Sequence, residues 1–165
     1  MSVTRFLRHL FTTDLRRRRH FPAHALGAIE KAVHESEQHH GGEIRVAIET
    51  ALEGPALWHD ISPRQRAIEV FGRLHVWDTE HNSGVLIFVL LADRDVEIVA
   101  DRGYRGRVSD AEWAGVCRAM EAEFRAGRFE SGVLKGIQAV TALIAPHFPS
   151  QSRDRNELPD RPALL

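Results

Sequence analysis

The sequence predicts an α/β domain with helices on both faces of a small mixed sheet, and three patterns carry that prediction. Val85–Ala92 reads VLIFVLLA, apolar without alternation, as suits a strand covered on both faces. Asp95–Asp101 follows directly across Asp93-Arg94, a dipeptide suited to a tight turn, so the two runs form an antiparallel hairpin. On either side along the chain lie segments whose apolar residues recur every three or four positions, amphipathic helices that each need cover along one stripe.

From the N-terminal side, the first helix of the domain is expected from Pro22 to about His39, with Leu26, Ile29 and Val33 on one face and Gly41-Gly42 ending it. Glu43–Thr50 alternates, with Ile44, Val46 and Ile48 opposite Glu43, Arg45, Ala47 and Glu49, and reads as a strand with one strongly apolar side. Gly54-Pro55 breaks the chain, and a short further strand near Leu52–Trp58 is compatible with the pattern. Ser62 and Gln65 make a capping-box pair with Pro63 between them. The helix they open has Ala67, Ile68, Phe71 and Leu74 as its stripe.

Trp77–Gly84 is a polar loop into the central strand. The returning strand, Asp95–Asp101, carries outward charges that suit a sheet edge. Ser109 and Glu112 cap the next helix, whose stripe is Trp113, Val116, Cys117, Met120 and Phe124. Gly127 stops it, and a last helix beginning at Phe129-Glu130 buries Val133, Leu134, Ile137, Val140 and Ile144. The organisation is a basic amphipathic arm over 1–21, one domain over 22–149, and a polar, proline-interrupted tail over 150–165, expected to be extended or loosely held.

A chain of 165 residues buries enough surface for a core without staples. A formal net charge of -1 argues against dedicated nucleic-acid binding, which needs a strongly basic domain. The lone cysteine, Cys117, excludes an intrachain disulfide and a CxxC metal knuckle; it sits at core spacing and fits a cytoplasmic setting. Val85–Ala92 is too short to cross a bilayer as a helix, and the N-terminus has no uninterrupted apolar segment of the signal-peptide kind. Within the arm, Phe6, Leu7, Leu10 and Phe11 share one helical face and Arg5, Arg8 and His9 another, ahead of Arg16, Arg17, Arg18 and Arg19. Such a segment packs on its own domain or a partner subunit, lies on an anionic membrane surface, or touches nucleic acid.

The hairpin also brings distant polar residues together. If the strands pair, Asp101 returns beside the start of Val85–Ala92, where the loop bearing Asp78, Glu80 and Asn82 ends. Three carboxylates and an amide are oxygen ligands suited to calcium or magnesium, and equally to ion pairs with Arg102 and Arg105. With a metal bound there, Arg102 and Arg105 would neutralise a phosphate oxygen while a metal-bound water attacks. Asp93 and Asp95 form a second acidic group at the hairpin tip, explained by turn chemistry alone. His34, His39 and His40 lack zinc-ligand spacing, and no serine sits in a nucleophile elbow.

Between Pro22 and Pro149 the sequence resembles the TPM-domain family, the domain of a thylakoid lumen protein, a photosystem II repair protein and a worm receptor modulator. The resemblance rests on His40-Gly41-Gly42-Glu43-Ile44-Arg45-Val46, on Trp77 followed by Asn82-Ser83-Gly84-Val85-Leu86-Ile87-Phe88-Val89, on Asp93-Arg94, on Gly103-Tyr104, and on Phe124-Arg125-Ala126-Gly127-Arg128-Phe129 with Gly132. It implies a three-layer α/β/α sandwich, divalent-metal binding in some members, and phosphatase activity proposed for some while others are non-catalytic. Asp78 and Asp101-Arg102 replace commoner glycine-rich stretches, and Asp14-Leu15-Arg16-Arg17-Arg18-Arg19 replaces the usual acidic lead-in. The expectation is a non-catalytic or scaffold-like domain assisting a membrane-associated protein complex, with a metal-dependent phosphatase of small phosphomonoesters as the alternative.

Overall fold

Seven buried residues in a row, Gly84–Leu90, form the strand around which the molecule is layered. A computed structural model of the chain, describing residues 2–150 and 156–165, places this strand, β2, beside β1 (Glu43–Glu49) and β3 (Asp95–Ala100). A two-residue strand, β4 (Ala163–Leu164), completes a mixed sheet of order β3-β2-β1-β4. β1 and β2 are parallel, from Glu43↔Gly84 to Glu49↔Leu90. β2 and β3 are antiparallel, from Val85↔Ala100 to Leu90↔Asp95, with the turn at Leu91–Arg94. The hairpin is therefore as the sequence predicts, and β3 lies at an edge.

Alternation along β2 divides the core in two. Val85, Ile87 and Val89 meet Ile44, Val46 and Ile48 beneath α3 (Ala23–Glu37), α6 (Asp110–Arg125) and α7 (Phe129–Ile144). Leu86, Phe88 and Leu90 face the other way, onto Ala67 and Val70 of α5 (Pro63–Arg73) and Leu57 of α4 (Gly54–Trp58). Each wholly buried side chain of this kind contributes roughly 1.5–3 kcal/mol, so a strand that fills both faces anchors both layers. The result is an α/β/α sandwich. Both predicted capping boxes form, Ser62 with Gln65 and Ser109 with Glu112. Two further helices, α1 (Val3–Phe11) and α2 (Asp14–His20), make up the arm.

The structure differs from the sequence reading in three places. Leu52–Trp58 contributes the short helix α4, not a strand, because Gly54 takes a left-handed φ of 51° and Pro55 starts a helical turn. All of β1 is buried, including Glu43, Arg45 and Glu49, although alternation suggested one wet side. For Glu43 and Arg45 the reason is the C-terminal segment, expected to be loose over 150–165; Glu49 pairs with Arg66 of α5 at 2.8 Å. Residues 151–155 lie outside the described residues, but 156–165 run back along β1 and pair Ala47 with Ala163 and Ile48 with Leu164. The Arg45 guanidinium donates to the carbonyls of Pro159 and Arg161, and Glu43 accepts from the Leu158 amide at 3.1 Å. Leu158 is buried with them.

Candidate functional site

Polar chemistry gathers at both ends of the sheet. At the end where β2 begins and β3 stops, the Asp101 amide donates to the Gly84 carbonyl at 2.9 Å, which sets Asp101 beside the loop that precedes β2. Asn82 adopts a left-handed φ of 53°, and its carbonyl accepts from Gly103 at 3.0 Å. A Cβ on Gly103 would collide with that carbonyl, so only glycine permits the approach. Arg102 Nε donates to Asn82 Oδ1 at 2.7 Å, and Asp101 Oδ1 accepts from the Arg102 amide at 2.6 Å as it caps a 3-10 turn, Arg102–Tyr104. The Tyr104 hydroxyl, held well above its ordinary pKa by burial, donates to the Ser83 carbonyl at 2.8 Å.

Of the residues singled out in the sequence, Asn82, Asp101 and Arg102 are thus brought together. Asp101, Arg102 and Arg105 also border a cleft of about 200 Å³ that Arg64 and Asp110 line with them. Asp78 and Glu80 stay on the exposed loop, where the Glu80 amide donates to the Glu157 carboxylate of the C-terminal segment at 3.0 Å. Asp101 Oδ2 is buried and has no hydrogen-bond partner. A cation would want that oxygen, but the amide oxygen beside it is taken by Arg102. Among the described residues, no three His, Cys, Asp or Glu side chains group to hold a metal ion. The arrangement is an arginine-bridged polar cluster.

At the other end, Asp93 on the turn after β2 is the centre of a larger cluster. Arg5 Nε pairs with Asp93 Oδ2 at 3.0 Å and Arg8 Nη2 with Oδ1 at 2.9 Å. The Arg5 guanidinium also reaches Asp60 and the Ile61 carbonyl. His9 is buried; its Nδ1 accepts from the Leu52 amide at 2.9 Å, so Nε2 carries the proton and faces Asp93 Oδ2 at 3.1 Å. Burial works to raise the Asp93 pKa, but hydrogen bonds from His9 and Arg5 hold it below the ordinary aspartate value. Turn chemistry does not exhaust the role of Asp93. It ties the arm to the domain. The periodicity that put Arg5, Arg8 and His9 on one face was the available sequence signal; their acceptor 84 residues or more away was not.

A third cluster had no signal. Glu37 Oε1 accepts from the Ile44 amide at 2.9 Å, while Oε2 is buried without a partner. Burial, with Glu43 and Asp160 nearby, pushes the Glu37 carboxyl up to about 9. His34 Nδ1 lies 3.0 Å from Asp160 Oδ2, and His40 is buried between Ser36 Oγ and the Gly42 amide. These contacts give His34 and His40 protein partners, two of the three histidines whose spacing did not suit zinc.

The fold and these clusters define a three-layer α/β/α domain carrying an N-terminal helical arm and a C-terminal strap. Residues 21–143 match the family model of the TPM domain, and the chain belongs to that family. It is similar to the BA42 protein of the psychrophilic bacterium Bizionia argentinensis, known from an NMR structure. The two are 32% identical, with a TM-score of 0.76 over 87% of this chain and 94% of that one. The fold is shared with the N-terminal domain of a P. gingivalis protein, at 17% identity and a TM-score of 0.58 over 77% of this chain and 79% of that one. No curated protein matches the sequence. The arm and the strap both lie outside the residues matched to the family. No helix among the described residues is long and apolar enough to cross a membrane.

Proposed function

We propose that the chain is a non-catalytic, scaffold-like TPM domain that assists a membrane-associated protein complex. The observation behind this reading is the arm. It is latched to the domain through Asp93, yet it leaves Leu10, Phe11 and Leu15 exposed beside Arg16, Arg18 and Arg19. A folded protein seldom holds apolar side chains in water on a fixed helix unless something else covers them. A protein partner, an anionic surface, or both would use it.

The phosphatase reading keeps one supporting observation, the unpartnered Asp101 Oδ2 beside Arg102 and Arg105. Calcium or magnesium bound there would have to draw Asn82 away from Arg102. Asp101 would then be a ligand and the arginines would face the phosphate.

Two measurements separate the readings. Purified full-length chain should not hydrolyse an aryl phosphate with calcium, magnesium or manganese added; metal-dependent turnover that disappears in Asp101→Asn would overturn the scaffold reading. Tagged chain recovered from detergent-solubilised membranes should migrate in an assembly larger than its own 18.6 kDa. Migration as a free monomer in every extract would also count against it.

A further inference from the structure

Helix α1 is docked the wrong way round for an ordinary surface helix. Amphipathic helices bury the apolar stripe and turn charge to solvent. Here the charged stripe is docked: Arg5, Arg8 and His9 bind Asp93, and Arg5 also binds Asp60. The apolar stripe points out. Val3 is 75% exposed, Leu7 44%, Leu10 59% and Phe11 70%, and Leu15 at the start of α2 is 78% exposed. Phe6, at the margin of that stripe, packs inward, and Leu10 borders the same cleft with part of its side chain. The Phe6 ring lies 5.6 Å from that of Trp58, itself 73% exposed.

The ionic latch explains the inversion. Two arginines and a buried histidine converge on one carboxylate of a rigid turn, which fixes the helix by its polar side whatever its apolar side does. Arg16, Arg18 and Arg19 are exposed on the next helix, so the arm that carries the apolar row also carries positive charge. Apolar residues in a row, flanking arginines and an exposed tryptophan are what an in-plane helix needs to enter the headgroup region of an anionic bilayer.

The geometry points to an anionic lipid bilayer as the occupant of this surface. The α1 row and Trp58 enter the interface, so the domain stands on the membrane by its Asp93 end. This deepens the scaffold reading and rests on it. It also gives the molecule an orientation. β1 and β2 both end at the arm, so Asn82, Asp101 and Arg102, at the opposite end of the sheet, face away from the lipid and remain open to a partner.

Sedimentation of the full-length chain with vesicles tests the occupant. It should pellet with phosphatidylcholine vesicles containing phosphatidylglycerol, not with phosphatidylcholine alone, and salt should release it. Phe11→Glu should weaken binding by roughly tenfold or more, the loss expected for one apolar side chain kept out of the interface. The joint variant Arg16→Gln, Arg18→Gln, Arg19→Gln should weaken it too and flatten its salt dependence. All these positions are exposed, and an unchanged circular-dichroism spectrum checks the fold.

Brominated lipid tests the orientation. Quenching should vanish in Trp58→Phe and persist in Trp77→Phe, because Trp77 lies on the loop at the far end of the sheet. No pelleting, pelleting indifferent to Phe11→Glu, the reverse quenching pattern, or a solution dimer that seals the row would each overturn the inference. None of these bears on whether the chain turns over phosphate, so this inference and the scaffold reading fail separately.

Discussion

Glu37 shows how a single residue reports on its surroundings. In the folded chain its carboxyl stays neutral up to about pH 9, because it is desolvated and faces Glu43 and Asp160; unfolded, it ionises near its ordinary value of about 4.5. A raised acid pKa means that the unfolded chain holds fewer protons between those limits. Its contribution to stability is therefore full below about pH 4.5 and is lost as pH rises to about 9. Glu37→Gln, neutral at every pH, should flatten the fall in urea midpoint from about pH 6 to about pH 9. An unchanged slope in the variant would mean that Glu37 is solvated and ionised in the native protein. The same cluster accounts for Glu43 and Arg45. Their side chains hold Leu158, Pro159 and Arg161, which is why these two charges of β1 are buried, while Glu49 is covered by Arg66 of α5 at 2.8 Å.

Among the elements, the pairing of α6 with α7 depends on two glycines. A Cβ on Gly132 would lie 2.7 Å from Phe124 Cε1 and 3.0 Å from Glu123 Cβ, and one on Gly136 would meet the thioether of Met120. Alanine raises helix propensity by about 1 kcal/mol, yet overpacking costs roughly 1–3 kcal/mol. Gly132→Ala should lose about 1–2 kcal/mol in denaturant unfolding, since an aromatic ring and a neighbouring Cβ yield little. Gly136→Ala should lose less, because Met120 has flexible bonds with which to move aside. A stabilised Gly132→Ala would show that the helices can separate freely. Helix periodicity predicted both stripes of this pair, including Met120 and Phe124. It could not indicate how closely the backbones approach.

For the whole molecule, the consequence of interest is that one carboxylate joins the arm to the sheet. Asp93→Asn keeps an acceptor for His9 but removes the charge facing Arg5 and Arg8. It should cost about 2 kcal/mol, less than a wholly buried pair because Arg8 remains in reach of water. Amide hydrogen exchange should then accelerate across Val3–Phe11 while β2 stays protected. Uniform acceleration throughout the sheet would show that the arm and core unfold as one unit, against the latch described above. Because the Asp93 pKa is depressed, its contribution is present above the ordinary aspartate value near ~3.9 and is lost only as pH falls through the lower folded value. Acid should therefore release the arm only at low pH.

The central hairpin, the two capping boxes and the helix stripes could be read directly from the chain, because each arises from neighbours a few residues apart and obeys a short period. The meeting of Asn82 with Asp101 was also legible, since it follows from doubling the chain back at one turn. The strap on β1, the Asp93 latch and the neutral Glu37 were not. Each joins segments with no shared period across long stretches of chain, and each takes its energy from desolvation that exists only once the layers have closed. The sequence by itself determined that the arm has an apolar and a basic face. Only the tertiary structure decided which face turns outward, because that depends on where Asp93 and Asp60 come to rest, and charges paired at a rigid turn outweigh the preference of a short helix to bury its apolar side.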